Sequence, residues 1–298
     1  DWSSDVCSSD LPDPNTPSED GPAPLRIGIL GAAKITPMAL VRPARAVPEV
    51  VLAGVAARVP QRGGDFAIKY RIERAYPSYE AMLKAKDIDA IYNPLPNGLH
   101  CEWTIRALEA GKHVLCEARM AMDASEAEDM FEASQANPGL VAQLVPAPFD
   151  FRTGPTIARL LREGAIGDIY EAHVTVHNGS GIDPFAPIHW RNQRVYSGRN
   201  VMTLGIYNEV IQRWLGDTER VLADGAVYVP ERPDPSQGGA PAEADVPDSY
   251  TVVARMANGA RAVYSFSAMA AGAPWNGIAI FGSKATIRWT PNSAGGRD

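Results

Sequence analysis

The stretch from Arg26 to Thr36, RIGILGAAKIT, has the residue types needed to hold a phosphate group. Apolar residues run straight into Gly31, and Thr36 with Pro37 is typical of a capped helix start. A strand, a tight turn and a helix start aim backbone N–H groups and the positive end of the helix dipole at one point. The dinucleotide-binding fingerprint places three glycines here, whereas Ala33 and Thr36 occupy the second and third positions. Alone, the stretch therefore also fits any strand-to-helix turn of an α/β protein.

Two arginines follow the next apolar strand, and they bear on which dinucleotide would bind. The strand expected at 50–57 ends at Arg58, Arg62 follows one turn later, and no acidic residue precedes Asp65. A carboxylate at this position binds the ribose hydroxyl of NAD, whereas an arginine suits the 2′-phosphate of NADP. The sequence favours NADP, with NAD as the alternative. Solvated charges at a helix start are the other interpretation of these arginines.

The second half of the chain holds the residues that could contact a substrate. His113 and His173 lie in expected strands and are interpreted as structural, whereas His177 and His189 are candidates for a cleft. His189 is favoured because Trp190 and Arg191 follow it in an irregular loop. We find no His, Cys, Asp and Glu spacing typical of a metal site, no GxSxG motif and no catalytic cysteine arrangement.

Strand and helix patterns alternate up to residue 145, which predicts a parallel sheet covered on both faces, with ligands at the carboxyl ends of its strands. Within it we expect Ser78 to cap a short helix. Later residues predict an open, mainly antiparallel sheet with helices on one side. There we expect helices at 156–163 and from about 200 to 215, a loop at 230–247 and a hairpin turning at Asn258-Gly259. The fold class is therefore α/β, with domains at 25–148 and 149–298.

Composition limits the classes of protein to which the chain can belong. The net charge is −7, or −4 without Asp1, Asp5 and Asp10, so no basic face for nucleic acid is expected. No apolar run is long enough to span a membrane. Cys101 and Cys116 suggest no disulfide framework, which fits a cytoplasmic protein.

Residues 1–24 are expected to stand outside the fold. The first eleven, DWSSDVCSSDL, match the translation of a common sequencing-library adapter, and we interpret them as non-native. Residues 12–24 form a proline-rich polar lead that we expect to be disordered. The native N-terminus would then be missing, which leaves a lost signal peptide as an alternative to the cytoplasm. The ending GGRD suggests that the second domain is truncated.

In their order and spacing, seven segments resemble the Gfo/Idh/MocA family of NAD(P)-dependent oxidoreductases. They are RIGILGAAKI, AAR at 56–58, YNPLPNGLH at 92–100, AGKHVLCE at 110–117, EGAIGDI at 163–169, GIY at 205–207 and FGSKATI at 281–287. The resemblance covers roughly residues 25–289. It implies a Rossmann domain followed by an α/β domain with an open sheet. It further implies hydride transfer to or from a sugar-like or dihydrodiol-like alcohol or carbonyl, as in family members that act on such compounds.

The resemblance also implies which residues would contact the cofactor. The loop after the first strand would bind the phosphates, and the segment at 94–100 would lie along the nicotinamide ribose. Glu117 matches the glutamate of the family's EKP tripeptide, beside the nicotinamide. The implied contacts are Gly31, Ala33, Lys34, Ile35, Pro94, Leu95, Asn97, His100 and Glu117.

The chain departs from the family pattern at the positions that would carry the chemistry. Ala118 replaces the EKP lysine, which has a proton to give, and Arg119 replaces the proline. A guanidinium stabilises an oxyanion but is a poor general acid. On the later helix Thr203 replaces an aspartate, and Tyr207 holds the acid/base position, where a core-packed aromatic is the other interpretation.

Two functions follow from these departures. The first is an NAD(P)-dependent oxidoreductase with Tyr207 as proton donor, Arg119 or His189 giving electrostatic help, and Trp190, Arg191 and Thr203 contacting substrate. The second is an NAD(P)-binding protein with little redox turnover, acting as a sensor or partner subunit. A homo-oligomer, dimer or tetramer, is expected because apolar residues alternate along the second sheet at Val252, Ala254, Val263 and Phe266.

Overall fold

The computed structural model describes residues 23–147, 150–198, 202–272 and 275–291, with backbone only at 150–152. The adapter-like segment and most of the proline-rich lead lie outside the described residues. The chain forms two compact units. Unit 1 comprises the chain up to Leu95, Leu99–Glu117 and Ala127–Leu144, and unit 2 comprises Pro96–Gly98, Ala118–Glu126 and the chain from Val145.

Unit 1 is built on a six-stranded sheet in which every paired strand is parallel, as the sequence predicts. The strand order is β3-β2-β1-β4-β5-β6, and the strands are β1 (Leu25–Leu30), β2 (Val50–Ala56), β3 (Arg74–Tyr76), β4 (Ala90–Asn93), β5 (His113–Cys116) and β6 (Ala142–Leu144). The last four residues of both β1 and β2 are buried, and β4 is buried at all four positions. Burial on both faces is the reason that these strands read as apolar runs.

Helices connect these strands, and local sequence signals fix several of their ends. The helices are α1 (Arg42–Ala44), α2 (Pro60–Tyr70), α3 (Tyr79–Leu83), α4 (His100–Glu109) and α5 (Ala124–Ala136). The predicted cap at Ser78 is confirmed, since Ser78 Oγ accepts from Ala81 N–H at 3.1 Å. Helix α4 ends before Gly111, whose φ of +75° suits a residue without a Cβ.

The observed helix start differs from the one predicted at Thr36. Thr36 has helical dihedral angles and its side chain caps nothing, because Thr36 Oγ1 is buried without a hydrogen-bond partner among the described residues. The turn that follows is a π-helical segment, Pro37–Val41, which continues into α1. A threonine that is already helical cannot cap, since an N-cap residue needs extended dihedral angles to direct its oxygen at the following N–H groups.

Unit 2 contains a six-stranded, mainly antiparallel sheet, and only β7 and β12 pair in parallel among the described strands. The order is β14-β13-β7-β12-β11-β8, and the strands are β7 (Ile169–His177), β8 (Thr218–Ala226), β11 (Ser249–Met256), β12 (Arg261–Ser267), β13 (Trp275–Gly282) and β14 (Thr286–Trp289). Its helices are α6 (Asp150–Arg162), α7 (Arg194–Ser197) and α8 (Leu204–Leu215). Side chains of α6 and α8 cover one face of the sheet and form the core with it.

Three predictions for unit 2 are wrong, and one strand was not predicted. Helix α6 begins at Asp150 and contains Pro155, although proline removes one hydrogen-bond donor from a helix interior. The loop at 230–247 contains a two-stranded sheet, β9 (Glu231–Asp234) with β10 (Ala240–Glu243). Helix α8 starts at Leu204 rather than near 200, where residues 199–201 lie outside the described part. Strand β8 was not predicted, because its mostly exposed side chains lack the apolar alternation of a half-buried strand.

The residues expected to face another subunit do not share one face of the unit 2 sheet. Ala254 and Phe266 belong to the core beneath the helices, and Val252 packs against that core. Val263 alternates with buried Ala262 and Tyr264 and therefore points to the opposite face. Strand pairing places Val253, Val263 and Leu222 side by side on this opposite face, which we call the outer face.

Candidate cofactor and substrate site

The turn after β1 is shaped around Gly31. Gly31 has a φ of +80°, and its N–H donates to Ala56 O at 2.6 Å, at the end of β2. A Cβ at this position would stand 2.9 Å from Leu95 Cδ2, closer than real Cβ contacts. Both the backbone conformation and the space therefore require glycine, as the first position of the fingerprint does.

The next residues offer unused hydrogen-bond donors at the carboxyl edge of the sheet. Within the described chain we find no acceptor for the backbone N–H groups of Ala32 to Ile35. Ala33 is half-buried, and Lys34 and Ile35 are exposed. A run of unbonded N–H groups after a parallel strand is the donor set that a pyrophosphate needs. These residues fit the phosphates of a dinucleotide. The side chain of Ala33 is a methyl group, which cannot accept a hydrogen bond from these N–H groups.

Beside Gly31, a tyrosine that the sequence analysis missed interacts with the two predicted arginines. Arg58 and Arg62 are exposed, and the backbone N–H of Arg58 donates to the hydroxyl of Tyr79. This hydroxyl lies 3.8 Å from the position a Cβ of Gly31 would take. Burial raises the pKa of Tyr79, while the Arg58 N–H and the charges of Arg58 and Arg62 act in the opposite direction.

The loop after β4 is held by buried polar groups. Asn93 Oδ1 accepts from Leu95 N–H at 3.4 Å, and Asn93 Nδ2 donates to His100 O and Thr104 Oγ1. The His100 ring is 1% exposed, with its Nε2 2.7 Å from Leu95 O. His100 therefore positions the loop that carries Pro94 and Leu95. Its direct contact with a cofactor stays a prediction.

Asn97, expected in the same contact set, is assigned to unit 2. Its side chain is 1% exposed, and Asn97 Nδ2 donates to Ser197 O at 3.5 Å. The loop residues at 94–100 are therefore divided between the units, with Pro94, Leu95 and His100 in unit 1.

Glu117 follows β5 at the same edge of the unit 1 sheet. Its N–H donates to Asn93 O at 3.0 Å, and its Oε1 accepts from the Tyr92 hydroxyl at 2.5 Å. Tyr92 is 1% exposed, and burial together with the Glu117 carboxylate raises its pKa above the ordinary range. The Tyr92 hydroxyl therefore stays protonated and fixes the orientation of this carboxylate. The next two residues, Ala118 and Arg119, are joined by a cis peptide bond and belong to unit 2.

In unit 2, Arg119 is a buried cation whose pKa is affected by a second arginine. It is 7% exposed, and burial and the positive charge of Arg191 lower its pKa to about 10. The Arg191 guanidinium lies over the Trp190 ring, 4.1 Å from the centroid. His189 starts this turn, and its Nδ1 accepts from Arg191 N–H at 3.2 Å. One ring nitrogen of His189 is thus used to shape the loop, and its catalytic role stays a prediction.

Tyr207 of helix α8 and Tyr250 of strand β11 both contact the ring of Phe266. The Tyr207 ring meets Phe266 edge-on at 5.7 Å, and the Tyr250 ring stacks on Phe266 at 5.1 Å. Burial raises the pKa of both tyrosines. Tyr207 therefore packs against the core, as the structural interpretation requires, and its phenol stays protonated at neutral pH. A proton donor and a core aromatic remain compatible descriptions of this residue.

Thr203 immediately precedes helix α8. It occupies the N-cap position, but its side chain makes no capping bond, and Thr203 Oγ1 is buried without a partner among the described residues. The next N–H, that of Leu204, donates to the hydroxyl of Tyr250, whose pKa Arg119 also affects. Tyr250 is thus hydrogen-bonded to the start of α8, although the sequence analysis missed it. A tyrosine at a buried position of an alternating strand gives no sequence signal beyond β-propensity.

No helix in the described ranges is long and apolar enough to cross a membrane. No group of three or more His, Cys, Asp or Glu side chains within those ranges could hold a metal ion.

Comparison with known proteins gives a match to a family model in each half of the chain. Residues 25–143 match the model described as "Oxidoreductase family, NAD-binding Rossmann fold", and residues 155–288 match the "GFO/IDH/MocA C-terminal domain". The two models leave only the connection at 144–154 unmatched between them.

Sugar dehydrogenases are among the similar proteins. Levoglucosan dehydrogenase of Pseudarthrobacter phenanthrenivorans is 30% identical over 235 residues, which cover 73% of this chain and 58% of that protein. D-xylose 1-dehydrogenase (NADP(+)) 2 of Haloferax volcanii is 40% identical over 108 residues, 36% of this chain and 33% of that protein. The chain thus spans less than two thirds of the length of these relatives. A levoglucosan dehydrogenase solved with NADH and L-sorbose superposes with a TM-score of 0.80, at 25% identity, over 89% of this chain and 73% of that one.

Proposed function

The chain belongs to the Gfo/Idh/MocA family of NAD(P)-binding oxidoreductases, and from that premise we propose that it transfers a hydride between NAD(P) and a sugar-like or polyol-like alcohol or carbonyl. The observation that carries the proposal is the run of unbonded N–H groups that follows Gly31 at the carboxyl edge of the unit 1 sheet. When bound there, the nicotinamide supplies or accepts the hydride. Levoglucosan and xylose dehydrogenases among the relatives support a carbohydrate-like substrate.

The cofactor would be held by residues of unit 1. The N–H groups of Ala32 to Ile35 would bind the pyrophosphate, and Pro94 and Leu95 would lie along the nicotinamide ribose. Arg58, Arg62 and the Tyr79 hydroxyl would bind a 2′-phosphate, which makes NADP the preferred cofactor. No carboxylate follows β2 to bind the free ribose hydroxyl of NAD before Asp65.

Tyr207 would move the proton, because Ala118 has none to give. In reduction, the Tyr207 hydroxyl would donate its proton to the substrate oxygen, and in oxidation the phenolate would take that proton back. Arg119 or His189 would stabilise the negative charge that develops on the oxygen, and Trp190, Arg191 and Thr203 would contact the substrate. A binding protein with little turnover is not favoured, since the relatives are named dehydrogenases and reductases.

We also propose self-association through the outer face of the unit 2 sheet. Leu222 and Val253 are neighbours there and are 76% and 38% exposed. Two adjacent exposed apolar side chains on a sheet face are typical of a surface that another chain covers. Cys101 and the buried Cys116 form no disulfide with one another, which supports a reducing, cytoplasmic location.

Single-turnover oxidation of bound NADPH tests the proposed function. Protein carrying one equivalent of NADPH is mixed with a panel of sugars, polyol-derived ketones and small ketones, and the loss of nicotinamide absorbance is followed. We expect oxidation with at least one carbohydrate-like carbonyl and none with buffer alone. Tight NADPH binding without oxidation by any compound would reject hydride transfer and leave the binding-protein alternative.

A further inference from the structure

The segment that carries three of the proposed substrate contacts is an irregular loop at 179–192, between strand β7 and helix α7. It ends in the turn that contains His189, Trp190 and Arg191. Most of its residues are exposed, including all four at 182–185. A loop that buries so few apolar side chains is not fixed by its own packing. Bonds to other parts of unit 2 must therefore hold its conformation.

A buried arginine holds the first half of the 179–192 loop. Arg232, in strand β9, is 5% exposed, and it donates through Nη1 to Asp183 O at 2.8 Å and through Nη2 to Gly181 O at 2.7 Å. A buried cation is costly unless its donors are bonded, and here the loop carbonyls supply the acceptors. Movement of the loop would leave a buried charge without these acceptors, so the arginine and the loop hold each other in place.

The geometry of this contact requires an arginine. A guanidinium keeps its terminal nitrogens in one plane and donates to two carbonyls at once, whereas an ammonium is a point charge on a flexible stem. The two acceptors are two residues apart, so the fork fixes the direction of the loop backbone as well as its position. Gly181 is also held from its other side, because its N–H donates to Ala268 O at 2.8 Å.

The backbone around the β9–β10 hairpin holds the second half of the loop. Pro233 O accepts from Ile188 N–H at 2.8 Å, one residue before His189. After β10, Asp245 N–H donates to Asn192 O at 3.0 Å, and Asn192 Oδ1 accepts from His189 N–H at 2.9 Å. The turn that begins at His189 is therefore bonded to the hairpin and its exit on both sides.

We propose that Arg232 is a positioning residue for the substrate, which holds the 179–192 loop, together with the β9–β10 hairpin, in the conformation that binds substrate. The inference rests on the proposed function, because His189, Trp190 and Arg191 contact a substrate only under that function. Arg232 acts through the loop and is not a catalytic residue, since both of its terminal nitrogens bond loop carbonyls. The arginine, the hairpin and the loop all belong to unit 2.

Positioning and plain stabilisation predict different kinetics. The apparent affinity for a ligand falls with the fraction of molecules that have the binding-competent conformation. Loss of Arg232 should therefore raise KM for the substrate, while kcat at saturation changes little because bound substrate restores the loop. A residue that only stabilises unit 2 would instead reduce the number of active molecules, which lowers the apparent kcat at unchanged KM.

Hydrogen exchange measured by mass spectrometry tests the hold on the loop without any turnover. In Arg232→Met, peptides that cover the 179–192 loop should exchange about ten- to hundredfold faster than in the parent, because a charged donor to two carbonyls is lost. Arg255→Met is the matched control, since Arg255 Nη1 donates to Gly259 O at 2.8 Å at another turn of unit 2. It should leave the exchange of the 179–192 loop unchanged. Parent-like exchange of this loop in Arg232→Met would overturn the proposal.

Steady-state kinetics then tests the role in substrate binding, with a carbonyl compound that oxidises NADPH in the parent protein. Arg232→Met should raise KM for this compound about ten- to hundredfold, with kcat and the Kd for NADPH close to the parent values. Arg232→Lys should recover part of the change, because its ammonium keeps a charged donor near the carbonyls. A fall in kcat at unchanged KM would overturn the proposal, since it is the pattern of lost stability.

A second variant loosens the end of the loop and leaves Arg232 in place. Asp245 Oδ1 accepts from Arg194 N–H at 2.6 Å, at the start of helix α7. Asp245→Ala should raise KM about two- to tenfold, as the loss of one hydrogen bond provides. Because this contact is exposed, the variant remains informative if Arg232→Met does not fold. Parent-like KM and loop exchange in Asp245→Ala would then overturn the proposal.

The outcomes separate this inference from the proposed function. NADPH oxidation with a KM that does not depend on Arg232 supports the proposed function and rejects the inference. Loop exchange that depends on Arg232, in a parent protein that binds NADPH but oxidises none, rejects the proposed function and retains Arg232 as the residue that positions the loop.

Discussion

At the scale of single residues, tyrosine hydroxyls contact the charged or polar groups of both units. The Tyr79 hydroxyl accepts from Arg58 N–H, the Tyr92 hydroxyl donates to Glu117, and the Tyr250 hydroxyl accepts from Leu204 N–H at the start of α8. Each hydroxyl is mostly buried and has a raised pKa, so each remains a neutral hydrogen-bonding group at physiological pH. Tyrosine suits this role because its ring packs against apolar side chains while its hydroxyl forms a hydrogen bond.

Arg58→Ala should reduce the preference for NADPH over NADH by about ten- to hundredfold, because one charge-assisted pair with the 2′-phosphate is lost. The dissociation constants of both cofactors, measured by fluorescence, check this. Lys69→Ala removes an exposed cation from the nearby helix α2 and should leave the preference unchanged. Equal affinities for both cofactors in the parent protein would contradict the assignment of Arg58.

Ala118→Lys should raise turnover, because it restores an ammonium donor at the position where the family carries one. A positioned general acid contributes about a hundred- to ten-thousand-fold, so the increase should be visible in single-turnover rates even if placement is imperfect. Ala118→Met, similar in length but uncharged, is the control for steric effects. An equal increase in the methionine variant would show that the proton is not the cause.

Tyr207→Phe should abolish most of the activity while NADPH affinity and melting temperature stay close to the parent values. The ring contact with Phe266 is kept and only the hydroxyl is lost. Because burial raises the pKa of Tyr207 above its ordinary value of about 10, reduction should persist to alkaline pH in the parent protein. Tyr228→Phe, at an exposed position, is the matched control. Activity that survives in Tyr207→Phe would leave this residue with a packing role only.

At the scale of elements, the start of one short helix positions a side chain of the proposed cofactor site. Helix α3 has only five residues, and its first residue, Tyr79, faces Arg58. A helix this short is not stable alone, so its cap and its packing must hold it. The cap at Ser78 therefore matters for the position of Tyr79 as well as for stability.

Ser78→Ala should lower the free energy of unfolding by about 0.5–2 kcal/mol, since the N–H of Ala81 loses its acceptor. It should also weaken NADPH binding slightly through Tyr79. Urea unfolding and cofactor titration measure the two effects. Ser134→Ala removes an exposed hydroxyl from α5 and should cost less. No change in stability in Ser78→Ala would show that packing alone positions α3.

At the scale of the whole molecule, the unit 2 sheet has two chemically different faces. Helices α6 and α8 cover one face and build the core with residues such as Ala254, Tyr264 and Phe266. The outer face combines the apolar Leu222, Val253 and Val263 with polar neighbours, and it is the surface that we propose another copy covers.

Val253→Arg should shift the protein toward the monomer, because a charge buried in an apolar contact is strongly unfavourable. Light scattering at micromolar concentration measures the mass. Ile68→Arg places the same charge at an exposed apolar position of α2 in unit 1 and should leave the mass unchanged. A monomeric parent protein would contradict the proposed self-association.

The sequence by itself determined the alternation of strands and helices in unit 1, the hairpin of β11 and β12 and the cap at Ser78. These features depend on local causes: hydrophobic periodicity, turn chemistry and one side chain bonding its own helix. The boundaries of α6, the hairpin at 231–243 and strand β8 could not be predicted, because long-range pairing and packing override local preference there.

For the site, the sequence indicated the glycine turn and the two arginines that follow β2, since both lie at strand ends where chain order gives position. Only the tertiary structure decided that Tyr79 bonds the Arg58 N–H, that His100 points at Leu95 O, and that Arg191 and Tyr250 affect the pKa of Arg119. Arg191 is 72 residues after Arg119 in the chain, and Tyr250 is 59 residues further on. No pattern in a single sequence specifies such convergence, because packing of distant strands and loops creates it.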